Sequence, residues 1–228
     1  MSPLALVAGT CMLVSFLVCG IPFGLLIARG SSEHVDVRKV GSGNIGMTNV
    51  ARSAGAGPAA LTLLCDAGKG TACMLLSHLA LSQLAFGGDW ASVGVGTPFG
   101  WALALVYLSC VMGHVFSPYL GFRGGKGISV GFGAALGLHW PLALVILAVF
   151  FALAVPSRYV SLGSIAAAAA LPVVGAIMGF GPGVDLPLVA TAVVVIWSHR
   201  SNLGKLVRGE ERRFSVHRRS SGGEEDSR

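Results

Sequence analysis

Apolar residues fall in long, nearly uninterrupted stretches, and polar residues are confined to the short segments between them. Residues 1–28 and 70–85 hold no Asp, Glu, Lys or Arg. A helix rises about 1.5 Å per residue, so such lengths approach what a hydrocarbon layer of roughly 30 Å requires. The apolar runs predict seven helices, at about 3–28, 57–86, 99–117, 128–139, 141–155, 162–179 and 185–199. The first stretch lacks the basic flank of a secretory leader and outruns its usual apolar core, so it is expected to remain as the first span. The fourth and fifth helices are short, and His139-Trp140-Pro141 is either a turn between them or a kink in one long helix.

Charge placement favours the turn. Lysine and arginine near helix ends collect on the cytoplasmic side of a membrane. With seven spans and the N-terminus outside, all 16 Lys and Arg residues fall on or near that side, whereas one merged helix would put Arg158 outside or misplace the tail. The outward segments are then 87–98, the His139 turn and 180–184, none with a Lys or Arg. The inward ones are 29–56, 118–127, 156–161 and the chain from 199. The predicted fold is all-α: a polytopic membrane helix bundle of about seven transmembrane helices, some short, with the N-terminus outside and the C-terminus cytoplasmic. A single domain is expected over 1–211, followed by a disordered cytoplasmic tail at 212–228 that ends in the low-complexity run SSGGEEDSR.

Composition agrees with this solvent. The chain is 54% hydrophobic and 11% charged, where an average soluble protein carries about 25% charged residues. The formal charge of +6 would suit nucleic acid, but about half the basic residues lie in the tail after the last apolar segment. Anionic lipid headgroups explain that cluster, and no folded basic domain exists to read nucleic acid. Cys11, Cys19, Cys65, Cys73 and Cys110 all lie in apolar stretches without a Cys-x-x-Cys pair, which argues against disulfides and zinc. No internal repeat of the kind that builds many transporters is visible.

The inward segments carry the unusual chemistry. The first reads GSGNIGMTNVAR at 41–52. Gly41, Gly43 and Gly46 permit left-handed turns that aim N–H groups at one point, and Ser42, Asn44, Thr48 and Asn49 add neutral donors. Arg52 can give a forked pair of hydrogen bonds to phosphate. An ordinary Gly/Ser/Asn turn would explain the glycines alone. Next, DAGKG at 66–70 sets an acid and a lysine in an apolar span, where a charge costs about 2.5–3.5 kcal/mol. Asp66 and Lys69 are either an ion pair at i, i+3 or part of a cationic site.

The sharpest local signal is GHVFSPYLGFRGGKG at 113–127. A glycine-rich turn (Gly121, Gly124, Gly125, Gly127) presents Arg123 and Lys126 just before a helix start at about Ile128, where free N–H groups favour an anion. The spacing is not that of a Walker A loop, so nucleotide hydrolysis is not implied. His114 is either a packing group or a catalyst. SRYVSLGS at 157–164 and HRSN at 199–202 bring Arg158, Ser161, Ser164, His199, Arg200 and Asn202 to the same face, and His199 and Asn202 share one side of a helical turn. Four separated segments thus converge on a phosphate site at the membrane interface, where an acyl chain can lie between helices. A transporter would need polar groups on both sides of the midplane, and a phospho-alcohol transferase a dense aspartate motif. Neither pattern is present.

GSGNIGMTNVAR, DAGKG, GHVFSPYLGFRGGKG, SRYVSLGS and HRSNLGKLVRGEE, in this order and spacing over about 20–211, resemble the motifs of the bacterial membrane acyl-phosphate:glycerol-3-phosphate acyltransferases, the PlsY family. The chain departs from the family at Ile45-Gly46-Met47, where Pro-Gly-Ala is usual, and in the acidic, serine-rich tail beyond Glu211. The resemblance implies transfer of a fatty acyl group from acyl phosphate to the 1-position of sn-glycerol 3-phosphate. The products are lysophosphatidic acid and inorganic phosphate, and the step commits the cell to phospholipid synthesis without metal or other cofactor. It implies a multi-pass protein of the bacterial inner membrane with a cytoplasmic active site, partnered by its two substrates, the bilayer and, through contact, the enzyme that makes acyl phosphate. Ser42, Arg52, Lys126, His199 and Asn202 would form the catalytic set. Substrate binding would fall to Gly41, Gly43, Asn44, Thr48, Asn49, Lys69, His114, Gly124, Gly125, Gly127, Ser161, Ser164 and Arg200. The proton acceptor is left open among His199, His114 and a phosphate oxygen.

Overall fold

The computed structural model describes residues 2–214, all of its regular elements helical. Each predicted apolar run forms a helix. The elements are α1 Pro3–Gly20, α2 Phe23–Gly30, α3 Met47–Ser53, α4 Ala56–Ala85, α5 Trp101–Val115, α6 Ile128–Leu138, α7 Trp140–Ser157, α8 Val160–Ile177, α9 Pro182–Ser198 and α10 Arg200–Val207. Short 3-10 turns follow α4 and α5. Pro22 breaks the first predicted span into α1 and α2, because proline cannot supply the helical N–H. The short helices α3 and α10 form in segments where the sequence predicts a loop and a tail.

Among the described residues five helices are long and apolar enough to cross by themselves, six if α9 and α10, bent by 60°, form one span. Helix α6 has only 11 residues, or about 16 Å of rise, half of a hydrocarbon layer. It is nevertheless separate from α7, as charge placement suggested. His139 leaves the helical conformation, and its Nδ1 accepts the Leu142 N–H at 3.3 Å to cap α7, with Pro141 in the first turn. The chain therefore turns at His139, and Arg158 comes back to the end from which Lys126 starts.

Large apolar side chains on the outside, such as Leu64, Leu84, Ile177 and Val193, suit lipid rather than water. Inside, backbones approach closely. A Cβ at Gly133 would strike the Ala67 carbonyl and one at Gly113 the Phe16 carbonyl, so α6 packs on α4 and α5 on α1 at contact distance. Small residues serve this in membranes, where helices cohere by van der Waals contact instead of water exclusion. Thr71 Oγ1 adds an inter-helix hydrogen bond to Gly133 O at 2.7 Å.

The main core draws on α1, α4, α5, α6, α7, α8 and α9, and a satellite core of Leu25, Ala28, Val37, Ile45, Val50 and Ala51 seats the 31–46 segment. Ile45, at the departure from the family pattern, is 2% exposed in that satellite core. Near the expected boundary at 211, Phe214 donates its N–H to Arg158 O at 2.8 Å and packs against the satellite core. Residues 215–228 of the expected tail lie outside the described residues.

Candidate active site

A cavity of about 460 Å³ opens at the end of the bundle where all these inward segments meet. Its polar mouth is lined by Ser42, Asn44, Thr48, Asn49, Arg52, Lys126, Ser161, Ser164, His199, Asn202 and Glu211; Phe132, Ile146, Leu147, Phe150, Phe151 and Leu171 line the apolar depth between α6, α7 and α8. A smaller pocket of about 250 Å³ shares Ser42, Asn44, Lys126 and Asn202 and adds Gly43, Ser198, Arg200, Ser201 and Lys205. All five residues expected to be catalytic therefore line one cavity. Gly41, Lys69, Gly124 and Gly125 line neither.

Their absence has a physical reason in each case. Asn49 is 1% exposed and its amide organises the first loop: Nδ2 donates to Val37 O, Val40 O and Asn44 O, while Oδ1 accepts from Ser42 N at 2.9 Å. Gly43 N donates to Val40 O and Gly46 N to the Asn44 side chain. The N–H groups of Ser42, Gly43 and Gly46 are therefore taken up within the loop, and Ser42, Asn44 and Thr48 line the cavity beside them. Gly41, at φ +62°, lies where a Cβ would strike Asn49 Oδ1. Asn49 thus holds the loop together and also lines the cavity.

The second glycine turn follows the same logic. Gly124 N donates to Val115 O and Gly125 N to His114 O, each at 3.0 Å, and a Cβ at Gly125 would strike His114 Nε2. These glycines let the turn lie flat on His114 and push Lys126 forward. The N-terminus of α6 does face the cavity, through Gly127, Ile128 and Ser129.

Lys69, expected to bind substrate, is buried and saturated. Its ammonium lies 2.7 Å from Asp66 Oδ1, donates to Ile21 O at 2.7 Å and approaches His114 Nδ1 at 3.3 Å. Asp66 Oδ1 has no aligned hydrogen bond among the described residues, so its pairing with Lys69 is Coulombic. A lysine can only donate, so His114 Nδ1 accepts and its Nε2 carries the hydrogen. His199 has the opposite tautomer. Its Nδ1 lies 2.8 Å from Val195 O, a pure acceptor, which leaves Nε2 as the ring's acceptor.

Glu211 was missed, having been read as the edge of a charged tail. Its Oε1 accepts from Ser161 Oγ and from Asn202 Nδ2, both at 2.7 Å, and Asn202 Oδ1 in turn accepts from Lys126 Nζ. The second acid of a Glu-Glu pair, nine residues past Asn202 and just beyond α10, was the available signal. Burial holds the Lys126 ammonium down to about 8 against a partly offsetting Glu211, with Lys205 and Arg52 adding to the depression. Burial also lowers Arg52, whose guanidinium reaches Arg212 O and Arg213 O at 3.4 Å. Arg200 stacks on Trp197 at 4.1 Å and faces the smaller pocket.

A mouth with cationic and amide donors above an apolar slot suits an amphiphile with an anionic head, and known proteins agree. The family profile described as Glycerol-3-phosphate acyltransferase matches residues 9–209. Glycerol-3-phosphate acyltransferases from Rubrobacter xylanophilus and Geobacter sulfurreducens are 41% and 40% identical, covering 93% and 89% of this chain and 96% and 95% of their own lengths. Crystal structures of PlsY (YgiH), an integral membrane glycerol 3-phosphate acyltransferase, superpose with TM-scores of 0.78 in the glycerol 3-phosphate form and 0.76 in the lysophosphatidic acid form. They are 30% and 29% identical, cover 91% of this chain, and are themselves covered over 96% and 95%. With likeness across nearly the whole length, in sequence and in fold, this chain belongs to the PlsY family of integral membrane glycerol-3-phosphate acyltransferases.

Proposed function

We propose that this acyltransferase takes its acyl group from acyl phosphate and places it on the 1-position of sn-glycerol 3-phosphate, releasing lysophosphatidic acid and inorganic phosphate. The carrying observation is the convergence of Lys126, Arg52, Asn202, Ser161 and His199 on the mouth of a slot whose depth is apolar. An acyl phosphate is a mixed anhydride with a good leaving group, so the barrier lies in crowding two anionic heads and aligning the hydroxyl. Lys126 and Arg52 offset that charge from within a site shielded from bulk water. His199 Nε2 accepts a hydrogen bond from the glycerol hydroxyl and orients its oxygen toward the acyl carbon. The C–O bond to the alcohol forms, the bond to the phosphate oxygen breaks, and the proton leaves with the phosphate. Ser161, turned by Glu211, and Ser164 hold the glycerol phosphate.

Every Lys and Arg of the described residues except buried Lys69 sits in segments at the site end of the bundle. That asymmetry supports a cytoplasmic site in a bacterial inner membrane with the N-terminus outside, within reach of a soluble partner that makes acyl phosphate. The test is to incubate the purified, lipid-reconstituted protein with palmitoyl phosphate and glycerol 3-phosphate. Lysophosphatidic acid and phosphate should appear in equal amounts, and palmitoyl-CoA should not replace palmitoyl phosphate. Turnover with palmitoyl-CoA alone would overturn the donor assignment.

A further inference from the structure

Three cysteines that lie far apart in sequence, one on each of three helices, meet in the core. The sulfur atoms of Cys19 on α1, Cys73 on α4 and Cys110 on α5 all lie within 4.8 Å of one another, and Cys19 and Cys73 are 3.8 Å apart. All three are buried, and no His, Asp, Glu or further Cys joins them among the described residues. Sulfur atoms held at metal–sulfur bonds of about 2.3 Å in a trigonal plane stand about 4 Å apart, so the preformed triangle is close to the size that one ion needs.

We propose that Cys19, Cys73 and Cys110 form a three-sulfur site for one soft monovalent metal ion of the Cu(I) class, separate from the acyl-transfer cavity. Structural zinc takes four ligands, and Ser15, which interacts with Cys73 and Cys110, offers only a neutral hydroxyl. Soft sulfur ligands favour Cu(I). Thiolate is the ligand form of cysteine, so each Cu–S bond forms as a thiol gives up its proton to solvent, and copper keeps its oxidation state. Cys73 lies one helical turn from Lys69 on α4, and Cys110 one turn from His114 on α5. A bound ion would therefore clamp the scaffold on which the Lys126 turn rests.

The experiment uses the reduced, full-length protein in detergent without oxygen, titrated with Cu(I) against a competing Cu(I) chelator. One Cu(I) per chain should be retained, with a thiolate-to-copper absorption band, and X-ray absorption should count three sulfurs at one distance. The melting temperature should rise, because an ion held only by the folded state stabilises it. Cys73→Ser and Cys110→Ala should each weaken retention at least about tenfold, while the double variant Cys11→Ser, Cys65→Ser should retain the ion as before. Failure of the wild-type protein to hold Cu(I), a shell with fewer than three sulfurs, or unchanged retention in the Cys73→Ser and Cys110→Ala variants would overturn the proposal and leave the cluster as small-residue packing. The sulfur count on the wild-type protein decides even if a variant fails to fold.

Discussion

Lys69, buried, and Lys126, half-buried, are cations close to the same cavity, yet their surroundings differ. Lys69 faces a carboxylate, a carbonyl and an imidazole nitrogen, 4% exposed and outside the cavity lining. Lys126 donates to the neutral amide of Asn202, with the nearest acid one residue further along the chain of contacts. A buried cation with its own counter-ion is part of the scaffold. One that is kept beside a neutral acceptor, in a cavity, is left with charge to offer an anion.

The sharpest test of this contrast replaces each cation. Lys126→Ala should lower kcat about a hundred- to a thousandfold with the melting curve unchanged, measured as phosphate release in reconstituted membranes. A fold lost together with activity would make Lys126 structural too. On the other side, Asp66→Asn should destabilise the protein by about 3–5 kcal/mol by leaving Lys69 buried without its counter-ion. The double variant Asp66→Leu, Lys69→Met should recover most of that loss in thermal unfolding. If it stays inactive though folded, Lys69 has a part in the reaction and the contrast fails.

Smaller effects probe how Lys126 is held. Glu211→Gln keeps one acceptor but loses the charge, and kcat/KM for glycerol 3-phosphate should fall about tenfold, the scale of a lost charge-assisted hydrogen bond. Last, kcat/KM should decline as pH rises through about 8, because Lys126 serves only while protonated and its ammonium is held near that value. Glycerol 3-phosphate loses its second proton near pH 6, so this limb belongs to the protein. Glu211 raises Lys126, so Glu211→Gln should move the limb to lower pH and Lys126→Arg should move it upward.

The two tight glycine turns show how far the chain is legible in one dimension. Their positions, the helix start behind Lys126 and the gathering of Ser42, Arg52, His199 and Asn202 at one end follow from sequence, because helices of known length alternate direction and place their ends predictably. What the glycines are for does not follow. At Gly125 the reason is the His114 ring beneath it, and at Gly41 the Asn49 amide, contacts invisible until two segments are packed.

Sequence alone determined the solvent, the helical class, the apolar runs, the polarised ends and the family, since each depends on local hydropathy or on motifs read in order. Tertiary structure decided that Lys69 and Asn49 turn inward to their neighbours, that Glu211 joins Ser161 to Asn202, that α6 has only 11 residues, and that three cysteines meet. Such outcomes depend on the rotation of each helix about its axis and on the distance at which backbones pack. Those quantities arise only from many side chains fitting at once.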